Sequence, residues 1–104
     1  MSEYSMVIST CADKETADAI AKVLVKTRLA SCVQMFPIES VYLWKGTICD
    51  KGEIMLFIKS KSGLFDKVSA AIKANHPYEV PEIILVPIGE GLPEYLNWID
   101  DCTE

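Results

Sequence analysis

The middle of this 104-residue chain carries a β pattern that is longer than a domain of this size can cover. Residues Ser31–Trp44 and Thr47–Lys61 are rich in β-branched, aromatic and aliphatic side chains, and Lys45-Gly46 between them is typical of a tight hairpin turn. Strands in globular domains usually have about 5 or 6 residues. The two segments therefore predict a hairpin of which one half projects from the domain and exposes unpaired edges unless another chain pairs with them.

The second strand of this hairpin is predicted to lie in the centre of a sheet. Every residue of Ile54–Ile58 is apolar, so both faces of the strand must be covered. We expect helices to cover one face and another copy of the same sheet to cover the other. Pro37 cannot donate to a strand ladder and predicts an edge position or a bulge, and Lys51-Gly52 predicts a kink or bulge.

The flanking residues predict two further strands and three helices, with Asp13 and Ser62 as helix N-caps. The predicted elements are a strand at Tyr4–Thr10, a helix from Asp13 to about Thr27 or Leu29, the hairpin, a helix from Ser62 to Asn75, a strand at Ile83–Val86 and a short helix that starts at Pro93. The order β-α-β-β-α-β plus a terminal helix predicts one α+β domain, over residues 1–104, with the ferredoxin-like, split βαβ arrangement.

Charge and cysteine spacing exclude several classes of function. The net charge is −5, with 10 basic and 15 acidic residues and no basic run, so a nucleic-acid partner is not expected. The four cysteines include no CxxC pair, which argues against a zinc knuckle. Since the sequence has no secretory pattern and no run as long as a membrane span, we expect a cytoplasmic protein with free thiols and no membrane partner.

The segment His76–Glu82, which we call the connector, holds the only histidine and two of the prolines. Pro77 and Pro81 fix their own φ and push His76 and Val80 towards extended backbone. The connector is therefore predicted to be stiff, with His76 just beyond the end of a helix and its imidazole free to face another group.

Five segments together resemble the CutA family, the divalent-cation tolerance proteins. They are RLASCV at residues 28–33, SVYLWKG at 40–46, IKS at 58–60, HPYEVPEI at 76–83 and YLNWI at 95–99. The resemblance covers nearly the whole chain. It implies a ferredoxin-like subunit in a tight homotrimer similar to the PII signalling proteins, with β2–β3 hairpins that pair across subunits. The family is linked to copper tolerance and metal binding, and in animals to acetylcholinesterase anchoring, and no catalytic activity is established for it.

A weak site for Cu(II) or another divalent cation is one hypothesis for the connector. Imidazole is a common metal ligand, and we predict that His76 acts with Glu53 and with Cys11 near a subunit interface. Some relatives have a metal-binding cysteine aligned with Ser9, which shares a strand face with Cys11. The alternative is that His76 caps the helix end or donates a structural hydrogen bond. No organic cofactor is expected.

A small-ligand cleft between subunits is the second hypothesis. Lys59, Tyr78 and Glu79 would line it, and lysines could hold a phosphate or another small anion as PII-like signalling modules do. The sequence has no Gly-rich phosphate loop. No nucleophile, base and orienting residue form a recognisable set, so we predict that the protein is not an enzyme.

Aromatic residues on the hairpin and the last helix predict the contacts of the trimer. Tyr42, Trp44 and Trp98 are expected at the interface, because Tyr and Trp contribute much of the association energy of protein interfaces. A third hypothesis follows, in which the protein is a structural trimer that anchors partner proteins.

Overall fold

The order of elements agrees with the predicted one. A computed structural model describes residues 2–104. The elements are β1 (Tyr4–Cys11), α1 (Lys14–Lys26), β2 (Cys32–Trp44), β3 (Thr47–Lys61), a 3-10 helix (Ser62–Leu64), α2 (Phe65–Ala74), β4 (Ile83–Pro87) and α3 (Pro93–Cys102). The ferredoxin-like β-α-β-β-α-β arrangement with a C-terminal helix is therefore confirmed. No helix within residues 2–104 combines the length and the apolar character needed to cross a membrane.

The sheet has the strand order β2-β3-β1-β4, and all neighbouring strands are antiparallel. The predicted central position of β3 is confirmed, and Pro37 lies on the edge strand β2, where its missing N–H costs no ladder bond. The register of β2 and β3 continues without interruption through Gly52 opposite Glu39 and Lys51 opposite Ser40. The predicted bulge at Lys51-Gly52 is therefore wrong.

The two predicted helix caps have different outcomes. The Asp13 carboxylate accepts a hydrogen bond from the Thr16 N–H at 2.8 Å, which confirms the N-cap of α1. Ser62 does not cap α2, because a 3-10 turn intervenes and α2 begins at Phe65. The Ser62 hydroxyl donates instead to the backbone oxygen of Ser2 at 2.7 Å. This hydrogen bond holds the N-terminal segment rather than the helix end.

One face of the sheet packs against α1 and α2. Alternation points Val7 of β1 and Leu56 and Ile58 of β3 to this face, and all three are buried. They form one core with apolar residues of both helices. The helix residues buried most completely in this core are Ala17, Ile20, Leu24, Val68 and Ile72.

The opposite face of the sheet is covered at one end by α3 and at the other by Tyr78 of the connector, which bonds the buried Glu53. The Tyr4 hydroxyl bonds the Asp100 carboxylate, and the Lys59 ammonium lies 5.8 Å from the centre of the Tyr95 ring. Between these two contacts the face stays open. Its exposed apolar side chains include Phe36 (39%) and Ile84 (49%).

The hairpin of β2 and β3 extends well past the rest of the sheet. Strand β1 stops at Cys11, opposite Ile54, so residues 38–53, which we call the arm, have no third strand beside them. Lys45 and Gly46 form the turn with positive φ values of 49° and 81°, as a two-residue type I′ hairpin requires. The molecule measures 44 × 25 × 22 Å, and Val41, Leu43 and Ile48 on the arm are 70–75% exposed. The predicted projecting hairpin is therefore present.

Candidate functional site

The connector returns to the sheet at the point where β1 ends and the arm begins. Helix α2 ends at Ala74, and the Asn75 side chain donates to the backbone oxygen of Ala71 at 2.8 Å. His76 follows directly, as predicted from Pro77. The connector side chains thus meet the end of β1 and the first residues of the arm.

Both nitrogens of the His76 imidazole are hydrogen-bonded within the chain. Nε2 lies 2.7 Å from the backbone oxygen of Thr10, and Nδ1 lies 3.1 Å from the backbone nitrogen of Tyr78. Since a carbonyl oxygen only accepts and a backbone N–H only donates, the proton of the neutral ring belongs on Nε2. His76 therefore makes two structural hydrogen bonds, and it fixes the backbone of Tyr78.

Tyr78 connects this histidine to a buried carboxylate on the arm. Its hydroxyl donates to Oε2 of Glu53 at 2.9 Å, and Glu53 is only 7% exposed. Burial raises the pKa of Tyr78, the contact with Lys51 opposes this, and the hydrogen bond to Glu53 raises the pKa further. The Lys51 ammonium lies 4.9 Å from the ring centre of Tyr78 and 5.9 Å from that of Tyr42. Thr10, His76, Tyr78 and Glu53 thus form one continuous chain of polar contacts.

Cys11 lies next to this chain of contacts but on the other face of the sheet. It pairs with Ile54 and points towards the helices, as Ser9 does, whereas Glu53 points to the opposite face. Burial raises the pKa of the Cys11 thiol to about 11, and the negative charges of Asp13 and Glu53 add to the effect. The thiol is therefore protonated at neutral pH and would have to lose its proton before it could bind a metal.

The raised pKa of Cys11 predicts a loss of stability at alkaline pH. Between about pH 9 and pH 11 the thiol ionises in the unfolded chain but stays protonated in the folded chain, so the unfolded state becomes relatively more stable. We expect the free energy of unfolding of the wild type to approach or fall below that of Cys11→Ala as the pH rises through this range. Urea unfolding of both proteins at several pH values measures the difference. A difference that stays constant with pH would contradict the burial effect.

The three predicted metal ligands do not form a complete site in one chain. Within residues 2–104, no group of three or more His, Cys, Asp or Glu side chains is placed to hold a metal ion. His76 and Glu53 do share a partner, Tyr78. Further ligands would have to come from water or from another copy of the chain.

The residues of the predicted ligand cleft lie in two places. Lys59 donates to Oε1 of Gln34 at 2.9 Å near α3, whereas Tyr78 and Glu79 lie beside the arm. Lys59 and Glu53 are six residues apart on β3, which corresponds to about 20 Å along a strand. One chain therefore does not bring these residues together.

Two of the predicted interface aromatics, Trp44 and Trp98, are exposed in the single chain, and Tyr42 is partly buried. Tyr42 and Trp44 alternate onto the arm face that also carries Glu53, and Trp44 is 39% exposed. Trp98 is 41% exposed on α3, where its ring centre lies 5.6 Å from that of Tyr95. These side chains are available for contact with another subunit.

Lys51 was not predicted from the sequence as part of the site, and neither was the contact of Lys45, one of the lysines considered for the ligand cleft, with Glu79. Lys51 lies over Tyr78, and the Lys45 ammonium at the arm tip lies 3.4 Å from a carboxylate oxygen of Glu79. Alternation places Lys51 on the same strand face as Glu53, two residues away, and this signal could have identified it. The contact of Lys45 with Glu79 joins residues far apart in sequence and has no local signal.

Comparisons with known proteins agree with this fold. A family model described as CutA1 divalent ion tolerance protein matches residues 5–102. The divalent-cation tolerance protein CutA of Thermus thermophilus is 42% identical over 99 residues, which cover 94% of this chain and 96% of that protein. Protein CutA of Mus musculus is 40% identical over 101 residues, which cover 96% of this chain but 57% of that protein.

Solved structures agree over the same length. The structure of CutA from Archaeoglobus fulgidus, described as a periplasmic divalent cation tolerance protein, matches with a TM-score of 0.95 at 39% identity and covers 97% of this chain and 99% of that one. The Thermus thermophilus structure matches with a TM-score of 0.94 at 41% identity, over 97% of this chain and 99% of that one. The resemblance inferred from the sequence is confirmed: the chain belongs to the CutA1 divalent ion tolerance family.

Proposed function

We propose that this protein is a non-enzymatic homotrimer that binds a divalent cation, Cu(II) or a similar ion, weakly in a cleft between subunits. The observation that carries the cation site is the connection of His76 and Glu53 through Tyr78, next to the start of the arm. Imidazole nitrogen and carboxylate oxygen are both ligands that Cu(II) accepts. The names of the relatives, as divalent-cation tolerance proteins, support the same class of ligand.

The metal ligands that one chain offers fit a weak cation site rather than a tight one. A bound cation would supply positive charge and open coordination positions, and the chain would offer the imidazole of His76 and the carboxylate of Glu53. Cys11 contributes less to this proposal, because its thiol is protonated and points to the helix side. The remaining ligands would come from water or a neighbouring subunit.

The open sheet face supports the trimer. Monomers seldom leave a continuous apolar surface beyond a few hundred Å². Here Phe36, Ile84 and Val86 are exposed beside the half-buried Ile8 and Phe57. The strands β2 and β4 also leave two different sheet edges unpaired in the single chain, and a head-to-tail contact between unlike surfaces closes into a ring when the rotation permits.

The cytoplasm is the proposed location. All four cysteines are free, as expected of thiols in a reducing compartment. The periplasmic description applies to the Archaeoglobus relative.

Titration with Cu(II) tests the cation site. We expect His76→Ala to lower the affinity for Cu(II) by about tenfold or more, because loss of even a hydrogen-bond partner of a metal ligand typically costs about 10- to 100-fold in affinity. Isothermal titration calorimetry of wild type and variant gives both affinities. Asn75→Ala, which alters the neighbouring residue and leaves the imidazole in place, is the matched control. Equal affinity of wild type and His76→Ala would remove His76 from the site.

A small anion in the same region is a second candidate. The Lys51 ammonium lies against the rings of Tyr42 and Tyr78, so a positive charge and two aromatic faces occur together on the arm. This arrangement favours a planar, anionic ligand of the kind that PII-like proteins bind at subunit clefts. Protection of the connector from proteolysis by such a ligand, in the absence of any cation, would support this candidate over the cation site.

A further inference from the structure

Arg28, just after α1, has a backbone conformation that L side chains rarely adopt. Its φ is 61°, in the left-handed region. The Arg28 N–H donates to the Val25 backbone oxygen at 3.1 Å. The Leu29 N–H donates to that of Leu24 at 2.9 Å, which completes the Schellman motif that ends many helices. Glycine is usual at the left-handed position of this motif, so an arginine there indicates a role for the side chain.

Both the side chain and the carbonyl of Arg28 bond the backbone at the end of α3. The guanidinium Nη2 donates to the backbone oxygens of Asp101 and Thr103 at 3.1 and 3.3 Å, and Nε donates to that of Cys102 at 3.4 Å. The Arg28 carbonyl accepts the Glu104 N–H at 2.9 Å. Four bonds therefore join this one residue to four consecutive residues of another element.

Helix α3 has little stabilisation of its own at this end. The hydroxyl of its C-cap residue, Thr103, donates to the Ile99 backbone oxygen at 2.8 Å. The last turn carries Asp100 and Asp101 and no basic residue, although the dipole makes this end of a helix negative. The other terminal carbonyls have no partner within the helix. Arg28 therefore supplies, from the end of α1, the donors and the positive charge that the end of α3 lacks.

Few apolar contacts hold α3 on the sheet, so its polar contacts matter for its position. Of the residues of α3, Ile99 alone is fully buried. The Asp100 carboxylate accepts a bond from the Tyr4 hydroxyl and lies 3.9 Å from the Lys61 ammonium. These contacts hold one side of the helix, whereas the guanidinium holds its end. The position of α3 in turn fixes the direction of Trp98, which is 41% exposed.

We propose that Arg28 is the residue that positions α3 for contact between subunits. The guanidinium fixes the last turn of the helix, and the fixed helix presents Trp98 to the neighbouring subunit. The attachment of α3 lies within one chain, and its consequence for assembly rests on the homotrimer proposed above.

The substitution Arg28→Gly separates this role from a role in the turn alone. Glycine adopts the left-handed conformation without strain, so a residue that served only the turn would be replaced by glycine with a gain in stability. A residue that holds α3 would be replaced with a loss, because glycine has no guanidinium. The two roles therefore predict opposite effects on α3.

Amide hydrogen exchange read by mass spectrometry measures the attachment of α3 in full-length wild type, Arg28→Gly and Arg28→Lys. We expect Arg28→Gly to raise exchange in residues 93–102 by about tenfold or more, the factor that corresponds to loss of one hydrogen bond to a charged group. Residues 54–58, in the centre of β3, should not change and serve as the internal reference. Arg28→Lys keeps the charge but not the planar fork of donors, so its exchange should lie between the other two.

Lys67→Ala is the matched control. The Lys67 ammonium lies 2.6 Å from the Glu104 carboxylate, so this lysine contacts the same segment of the chain. Both side chains are exposed, and the ion pair involves no backbone oxygen of α3. Since exposed ion pairs contribute little, this variant should exchange in residues 93–102 like the wild type.

Sedimentation velocity in increasing urea measures the assembly of the same proteins. We expect Arg28→Gly to dissociate at a lower urea concentration than the wild type and Lys67→Ala to dissociate at the wild-type concentration. Unchanged or slower exchange of residues 93–102 in Arg28→Gly would overturn the positioning role. Faster exchange with unchanged dissociation would overturn the link to the subunit contact. A wild type that sediments as a single chain would overturn the proposed homotrimer, and the exchange comparison would still decide whether Arg28 holds α3.

Discussion

Replacing Ile84 by lysine is expected to convert the proposed trimer into single folded chains. Ile84 lies on the open face of β4, beside Ile8 of β1, and it is 49% exposed in the single chain. A lysine there is tolerated by the monomer but would become an unpaired charge inside an assembled interface, at a cost of about 3–5 kcal/mol for each chain. Sedimentation velocity over a range of protein concentrations should show the mass of one chain in place of three.

Val25→Lys is the matched control for this substitution. Val25 is similarly exposed, at 44%, but lies on α1, on the opposite side of the domain. A lysine near the C-terminal end of α1 is also favourable to the helix dipole. This variant should keep the wild-type mass. A full-sized assembly of Ile84→Lys would show that the open sheet face is not the contact surface.

Replacing Leu56 by alanine is expected to lower the free energy of unfolding by about 2–5 kcal/mol. Leu56 lies in the middle of β3, pairs with Ser9 and Met35 on the neighbouring strands, and is completely buried under the helices. Truncation leaves a cavity in a sheet centre that cannot collapse, because strands on both sides hold the backbone. Equilibrium unfolding in urea measures the change.

Leu92→Ala removes the same atoms from a position that is 64% exposed before α3. It should change the free energy of unfolding by less than about 0.5 kcal/mol, as surface substitutions usually do. Equal effects of the two substitutions would mean that burial in the sheet centre does not dominate the stability of this fold.

The elements of the fold were predictable because their signals are local. The Asp13 cap, the apolar spacing of α1 and the Lys45-Gly46 turn each depend on residues within a few positions of one another. The two wrong predictions have the same origin. Serine is common at helix N-caps and glycine is common in bulges. A 3-10 turn begins at Ser62 in place of α2, and at Gly52 the ladder with β2 is continuous, so neither local preference is realised.

The sequence predicted which residues belong to the candidate site but not how they contact one another. The prolines of the connector placed His76 just beyond a helix, and this was confirmed. Neither the bond of His76 to Thr10 nor that of Tyr78 to Glu53 has a local signal, because the partners are 66 and 25 residues apart. Cys11 was grouped with Glu53 because some relatives have a metal-binding cysteine aligned with Ser9, on the same strand face as Cys11, but strand alternation points the side chains of Cys11 and Glu53 to opposite faces.

The order of strands and helices, the central place of β3, the projecting hairpin and the family could all be predicted, since these depend on local spacing and on long matching segments. Two features became evident only in the folded chain: β1 stops at Cys11 and leaves the arm without a third strand, and both His76 nitrogens are bonded. Hydrogen-bond partners and burial at this site are set by the antiparallel register of β1 and β3 and by the return of the connector. That register brings together residues which no local pattern relates.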